Sequence, residues 1–200
     1  MKKLITWQDA ILKKYKFFLF IFLFISSSNV TYASERWMLD KSLSTVEFEL
    51  PVLFAKNVKG RFNTLEGFVE LDVNQKENNK AIFYVEVNDL DMNYIKYKNL
   101  LLSNVFFDAN QFPKAVVDTK KFSYVNEKEL KLNVELTIKG KSETIPIKLN
   151  VKRLADELVQ IQSELTFSRT AFEIGIGNWK NTSILKDKVR LTTNLFLFRE

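Results

Sequence analysis

The chain has 200 residues and a formal net charge of +6, and it contains neither cysteine nor histidine. The absence of cysteine excludes a disulfide framework, and the absence of histidine removes the commonest metal ligand and the commonest general base. Residues 1–33 hold five basic residues and one acidic residue, so the rest of the chain carries a formal charge of only +2. A charge of this size gives no reason to expect a nucleic-acid partner.

The N-terminal segment has the pattern of a secretory signal peptide. Five lysines precede a nine-residue apolar run at 17–25, and small or polar residues follow up to Ala33. An uncleaved membrane anchor is the alternative, but nine apolar residues are fewer than the roughly 20 that span a bilayer. We therefore expect export, cleavage after Ala33 and a single mature domain over residues 34–200, which is long enough for a sizeable core.

Alternating apolar and polar residues predict about eight strands in the mature chain. Residues 58–62 and 68–73 flank a polar stretch at 63–67 and are predicted to form a hairpin. The strictest alternation lies in a second hairpin, at 132–151, which turns around Gly140. The alternating segments, nine in all, cover 45–50, 58–62, 68–73, 81–88, 115–124, 132–138, 144–151, 158–167 and 189–198.

Residues 94–104 lack the two-residue period and contain three consecutive leucines, so they predict a short helix with Asp91 or Asn93 as its N-cap. One apolar face per strand and no βαβ rhythm leave a sandwich or a barrel. An eight-stranded barrel can either fill itself or hold one small ligand. The inward faces are predicted to hold Val46, Phe48, Leu50, Phe83, Val85, Val87, Leu132, Val134, Leu136, Ile145, Ile147, Leu149, Ile161, Leu165 and Leu191.

Five groups of residues, in order along the mature chain, match the pattern of a known family. They are Trp37, Asp40, Ser44, Val46 and Phe48; Gly60, Phe62 and Gly67; Leu101, Ser103, Phe106, Phe107, Asp108, Phe112 and Pro113; Leu136, Thr137, Ile138 and Gly140; and Arg169, Phe172, Ile174 and Gly175. On these residues the chain resembles the YceI-like family of periplasmic lipid- or polyisoprenoid-binding proteins. Leu43, Val52 and Leu100 stand where the family often has histidine, and Glu173 where it commonly has glycine.

The resemblance implies an all-β fold, an antiparallel eight-stranded lipocalin-like barrel with one short helix, in a periplasmic protein. It also implies a bound polyisoprenoid or other long-chain lipid in the barrel. The predicted inward residues, except Leu132, Ile145 and Leu191, are then expected to line the lipid cavity. No metal, other cofactor or catalytic residue is predicted, and a homodimer is left open.

Two groups of residues have alternative interpretations. Phe106, Phe107 and Phe112 either line a cavity mouth or pack the helix onto the barrel. Arg169 either binds the lipid headgroup, because its guanidinium matches phosphate or carboxylate, or pairs with an acid such as Asp108 or Glu173. The functional alternatives are a lipid-binding protein, an enzyme, for which no residue spacing provides support, and an envelope stress or interaction module with a filled barrel.

Overall fold

The computed structural model describes residues 34–54, 56–72, 74–92, 94–123 and 129–200. The predicted signal peptide, the possible cap Asn93 and the ends of two predicted strands, at Val73 and Tyr124, lie outside these ranges. Within them, no helix combines the length and the apolar character needed to cross a bilayer.

Strands dominate the described chain. They are β1 Ser34–Leu39, β2 Thr45–Leu50, β3 Val58–Phe62, β4 Leu65–Asp72, β5 Lys80–Glu86, β6 Leu90–Asp91, β7 Lys114–Asp118, β8 Glu129–Ile138, β9 Lys141–Ala155, β10 Leu158–Ser168 and β11 Lys188–Arg199. The α-helix α1 covers Ile95–Leu102, and single 3₁₀ turns cover Lys76–Asn78, Val87–Asp89, Thr170–Phe172 and Gly177–Lys180.

The eleven strand segments form eight long antiparallel strands, because β1 and β2, β3 and β4, and β5 and β6 are each the two halves of one bent strand. The first halves pair in the order β11–β1–β4–β5, and the second halves pair in the order β11–β2–β3–β6. The remaining neighbours are β5–β7, β7–β8, β8–β9, β9–β10 and β10–β11. Pairing of β1 with β11 closes the ring. The predicted eight-stranded barrel with one short helix is therefore confirmed.

The predicted hairpin around residues 63–67 is wrong. The segments β3 and β4 do not pair with each other; β3 pairs with β2 and β6, and β4 pairs with β1 and β5. The polar residues Asn63 and Thr64 only bend the chain, and Leu65 is buried immediately after them with 2% of its surface exposed. Both halves continue in one direction because each already has two strand neighbours.

The hairpin at 132–151 is confirmed, with Leu132 opposite Ile147 and Val134 opposite Ile145. Its turn is tighter than predicted, because Ile138 already pairs with Lys141. Lys139 and Gly140 both have positive φ angles, 52° and 70°, as a two-residue turn of the I′ kind requires. The side chains assigned to this hairpin's inward face therefore share one face.

Two other predicted boundaries differ from the structure. Helix α1 begins after Tyr94, whose side chain makes no capping hydrogen bond, and Asp91 belongs to β6 rather than capping the helix. Strand β7 ends at Asp118, earlier than predicted, because Lys120 turns into the left-handed region with a φ of 55°. Thr119 ends the strand by accepting a hydrogen bond from the Ala81 amide at 2.8 Å.

Candidate functional site: an apolar cavity at one end of the barrel

One end of the barrel is filled by aromatic side chains. The rings of Phe48, Phe62 and Phe107 lie 5.8 to 6.5 Å apart, centroid to centroid, in a three-membered cluster. Phe106 is buried nearby, with its ring 5.7 Å from that of Trp179. The segment after α1 therefore plugs this end, and Phe106 and Phe107 act as core residues rather than lining a mouth.

Gly60 explains how the aromatic cluster fits so closely to the barrel wall. It lies opposite Phe48 in the β2–β3 pairing, and a Cβ at this position would be 2.5 Å from the Phe48 ring. The ring therefore lies directly on the glycine backbone. A side chain here would displace Phe48, so glycine is a packing requirement of the filled end.

The other end of the barrel encloses an apolar cavity of about 840 Å³. This volume is in the range of sites that bury a small organic ligand. The cavity reaches the surface beside the exposed side chains of Lys76, Lys152 and Arg153. Its apolar lining is formed by Trp37, Leu39, Val46, Leu65, Val69, Leu71, Ala81, Phe83, Val85, Val117, Phe122, Leu130, Leu132, Val134, Ile147, Leu149, Val151, Val159, Ile161, Leu165, Leu195 and Leu197.

The structure divides the predicted cavity residues between the two ends. Eight of them line the cavity: Val46, Phe83, Val85, Val134, Ile147, Leu149, Ile161 and Leu165. The other four, Phe48, Leu50, Val87 and Leu136, do not line it and instead lie in the packed core. This corrects their assignment as cavity residues. Strand parity identifies which side chains point inward, but it carries no information about which end of the barrel other segments fill.

Several lining residues were missed at the sequence level, although a signal for them exists. Val69, Leu71, Val159, Leu195 and Leu197 lie on the apolar faces of predicted strands and point into the cavity. The two-residue alternation of their strands is the signal that predicts their inward position.

Arg169 is a structural residue and does not face the cavity. Its side chain is fully buried, and burial lowers the pKa of its guanidinium below the ordinary value for arginine. The group donates four hydrogen bonds, to the carbonyl oxygens of Lys186 at 3.0 Å, Leu185 at 2.8 Å, Ile174 at 2.8 Å and Gly175 at 3.3 Å. These carbonyls, rather than Asp108, Glu173 or a headgroup, are its partners. Arg169 thus ties the long segment between β10 and β11 together.

Asp187 accepts further hydrogen bonds within the same segment. Its Oδ1 accepts hydrogen bonds from the Thr170 hydroxyl at 2.7 Å and the Ser168 hydroxyl at 2.9 Å. Partial burial opposes ionisation of the carboxyl, but these hydrogen bonds outweigh it and hold its pKa below the ordinary 3.8. A carboxyl with a depressed folded-state pKa contributes stability above its unfolded pKa and loses it as the pH falls.

We expect Asp187→Asn to reduce stability most above about pH 4.5, because the unfolded pKa of aspartate is near 3.9. The difference in free energy of unfolding between wild type and variant should shrink as the pH falls below that value. Urea denaturation at a series of pH values measures it. Asp156→Asn, at an exposed position in the β9–β10 turn, is the control. A difference for Asp187→Asn that stays constant from pH 6 to pH 3 contradicts the assignment.

The barrel wall has a gap beside the cavity, where β9 and β10 diverge. Their pairing ends at Lys148 and Glu164, next to Pro146, which has no N–H to continue the ladder. An outer depression of about 600 Å³ lies there, and Leu132, Ile147 and Leu165 line both it and the inner cavity.

Among the described residues, no group of three or more acidic side chains is arranged to hold a metal ion.

A match to the YceI-like domain covers residues 37–197. The chain belongs to the YceI-like family. A UPF0312 protein of Vibrio vulnificus strain YJ016 is 28% identical over 104 residues, which are 52% of this chain and 55% of that protein. A UPF0312 protein of Staphylococcus aureus strain USA300 is 31% identical over 113 residues, 56% of this chain and 63% of that protein. Each match therefore covers less than two thirds of the relative's length.

Solved structures share the barrel of this YceI-like chain. BcnA of Burkholderia cenocepacia superposes with a TM-score of 0.71 at 25% identity, over 79% of this chain and 98% of BcnA. A polyisoprenoid binding domain from Saccharophagus degradans, implicated in plant cell wall breakdown, has a TM-score of 0.64 at 17% identity, over 82% of this chain and 98% of that domain. The YceI protein of Campylobacter jejuni also has a TM-score of 0.64, at 21% identity, over 75% of this chain and 89% of that protein.

Proposed function

We propose that this protein is an exported, non-enzymatic binding protein that holds a long-chain amphipathic lipid in the barrel cavity. The observation that carries the proposal is the apolar cavity of about 840 Å³, which lies beyond a packed aromatic plug. Burial of each methylene group contributes about 0.8 kcal/mol, so a long chain binds tightly without specific polar contacts. A polyisoprenoid or a similar lipid is the proposed ligand.

Two further observations support this proposal. A relative with the same fold, from Saccharophagus degradans, is described as a polyisoprenoid binding domain. The N-terminal sequence has the charge and apolar pattern of a signal peptide, which agrees with the proposed periplasmic location. The alternative function, an envelope stress or interaction module, requires a filled barrel, and the cavity favours the binding protein over it. A homodimer stays a prediction.

Mass spectrometry of organic extracts from the purified protein tests the proposed function. We expect a long-chain lipid in near-stoichiometric amount, and we expect the protein to melt at a lower temperature after delipidation. A ligand that binds only the folded state stabilises it by mass action, which gives the second readout. Extracts without lipid, together with an unchanged melting temperature when long-chain lipids are added, would favour the interaction module.

Val85→Phe and Val87→Phe form a matched pair that distinguishes the two ends of the barrel. Val85 lines the cavity, whereas Val87, two residues later, is buried in the packed core with 3% exposure. We expect Val85→Phe to fold normally and to bind long-chain lipid more weakly, because its ring occupies cavity volume. Overpacking at Val87 should cost about 1–3 kcal/mol of stability. Thermal melting and lipid titration measure both effects, and equal destabilisation by the two substitutions would contradict a hollow end.

N-terminal sequencing of protein isolated from the cell envelope tests export. We expect the mature chain to begin at or near Ser34, because small residues follow the apolar run and end at Ala33. A mature chain that starts at Met1 and is recovered with the membrane would support the uncleaved anchor instead.

A further inference from the structure

At the mouth of the cavity, the inward-facing positions of three strands, β1, β9 and β11, are occupied by charged residues. The inward-facing residues of one strand are called its inward row. On β9 the inward row is apolar through Leu149 and Val151, and Arg153 is the next member and lines the cavity. On β1 the row begins with Glu35, which also lines the cavity, and on β11 it ends with Arg199. A polar ring therefore borders the apolar interior on this side of the mouth.

Trp37 lies at the centre of this ring. Only 3% of its surface is exposed, and the guanidinium carbons of Arg153 and Arg199 each lie 5.8 Å from the centroid of its ring. The indole Nε1 is buried and has no hydrogen-bond partner in the part of the chain that the structure describes. A buried donor without a partner costs free energy, so an acceptor oxygen at this position would be stabilising.

The acidic side chains Glu35 and Asp72 at the mouth have close partners, whereas Arg153 has only a long hydrogen bond. Glu35 pairs with Arg199, with an oxygen–nitrogen distance of 3.7 Å, and the Asp72 carboxylate accepts hydrogen bonds from the amides of Asn74 and Gln75, each at 2.9 Å. Arg153 makes no ion pair with any described residue; its Nη1 donates a long, 3.4 Å hydrogen bond to the Asp156 carbonyl. Arg153 therefore retains donors and charge for a ligand.

We propose that the mouth selects lipids with an anionic headgroup, phosphate or carboxylate, and that Arg153 is the principal headgroup residue. This inference rests on the proposed function, because it names the ligand class of the same cavity. The planar guanidinium matches the paired oxygens of either anion. Arg153 lies at the end of an apolar row, so a lipid that binds it has its headgroup at the surface and its hydrocarbon chain in the cavity. Lys152, exposed beside it, adds positive charge.

Titration of the delipidated protein with three probes tests the proposal: geranylgeranyl monophosphate, the neutral alcohol geranylgeraniol, and oleic acid. We expect at least one anionic probe to bind about tenfold more tightly than the alcohol, the ratio that corresponds to one charge-assisted hydrogen bond. Arg153→Gln should remove that advantage and leave alcohol binding unchanged. Arg190→Gln, on an exposed arginine paired with Glu164, is the matched control and should change neither.

The outcomes separate this proposal from the proposed function. An advantage for the phosphate that Arg153→Gln removes supports a prenyl phosphate ligand, and the same result with oleic acid alone supports a fatty acid. Equal affinity of the wild type for the alcohol and both anions overturns headgroup selection while leaving the apolar binding cavity intact. Binding of none of the three probes overturns both. An anionic advantage that survives Arg153→Gln overturns the role of Arg153.

Discussion

Replacement of Arg169 by methionine should lower the free energy of unfolding by about 3–5 kcal/mol, because four buried carbonyl oxygens lose a charged donor. For a domain of this size, such a change lowers the melting temperature by roughly 10 °C. Urea denaturation and thermal melting measure it. The loss concerns the segment between β10 and β11, which depends on Arg169 to connect residues 174–175 with residues 185–186.

Two control substitutions separate the geometry of Arg169 from its charge. Arg169→Lys keeps the charge but should recover little stability, because an ammonium group cannot present the spread of donors that reaches carbonyls in both parts of the segment. Arg190→Met removes an exposed arginine paired with Glu164 at 3.1 Å and should cost less than about 1 kcal/mol. Similar losses of unfolding free energy at positions 169 and 190, or full recovery of stability with lysine, would contradict the structural role of the buried Arg169 guanidinium.

Val134→Asp should destabilise the barrel by about 3 kcal/mol or more and abolish lipid retention. Val134 is 1% exposed and lines the cavity, so an aspartate there would place a carboxyl without a partner among apolar side chains. Asn133→Asp, one residue earlier on β8, changes an exposed side chain and should stay within about 0.5 kcal/mol of wild type.

The contrast between neighbouring positions is the test of strand parity, since a one-residue change of register exchanges the two faces. Thermal melting and lipid analysis of both variants give the comparison. If both variants unfold, or if both behave as wild type, then residue 134 does not face the interior as the structure places it.

The interior and exterior faces were determined largely by the sequence. On β8 and β9 the two-residue alternation alone assigned Val134 and Ile147 to one face, because side chains alternate across a strand whatever the rest of the fold does. The same local rule predicted about eight strands, and its absence over residues 94–104 predicted the one helix. Gly140, with Lys139, marked the tight turn between these two strands.

Only the tertiary structure decided where the barrel is filled and where it is hollow. Val85 and Val87 have the same parity, yet one lines the cavity and the other is packed, because the segment after α1 inserts its aromatic side chains at one end. The bend at Asn63 was wrongly predicted as a hairpin turn for a similar reason. Pairing with other strands, and not the local polar residues, determines that β3 and β4 run in the same direction. Arg169 donates to backbone carbonyls that only folding brings together. Every residue has such a carbonyl, so the sequence pattern cannot predict which ones Arg169 contacts.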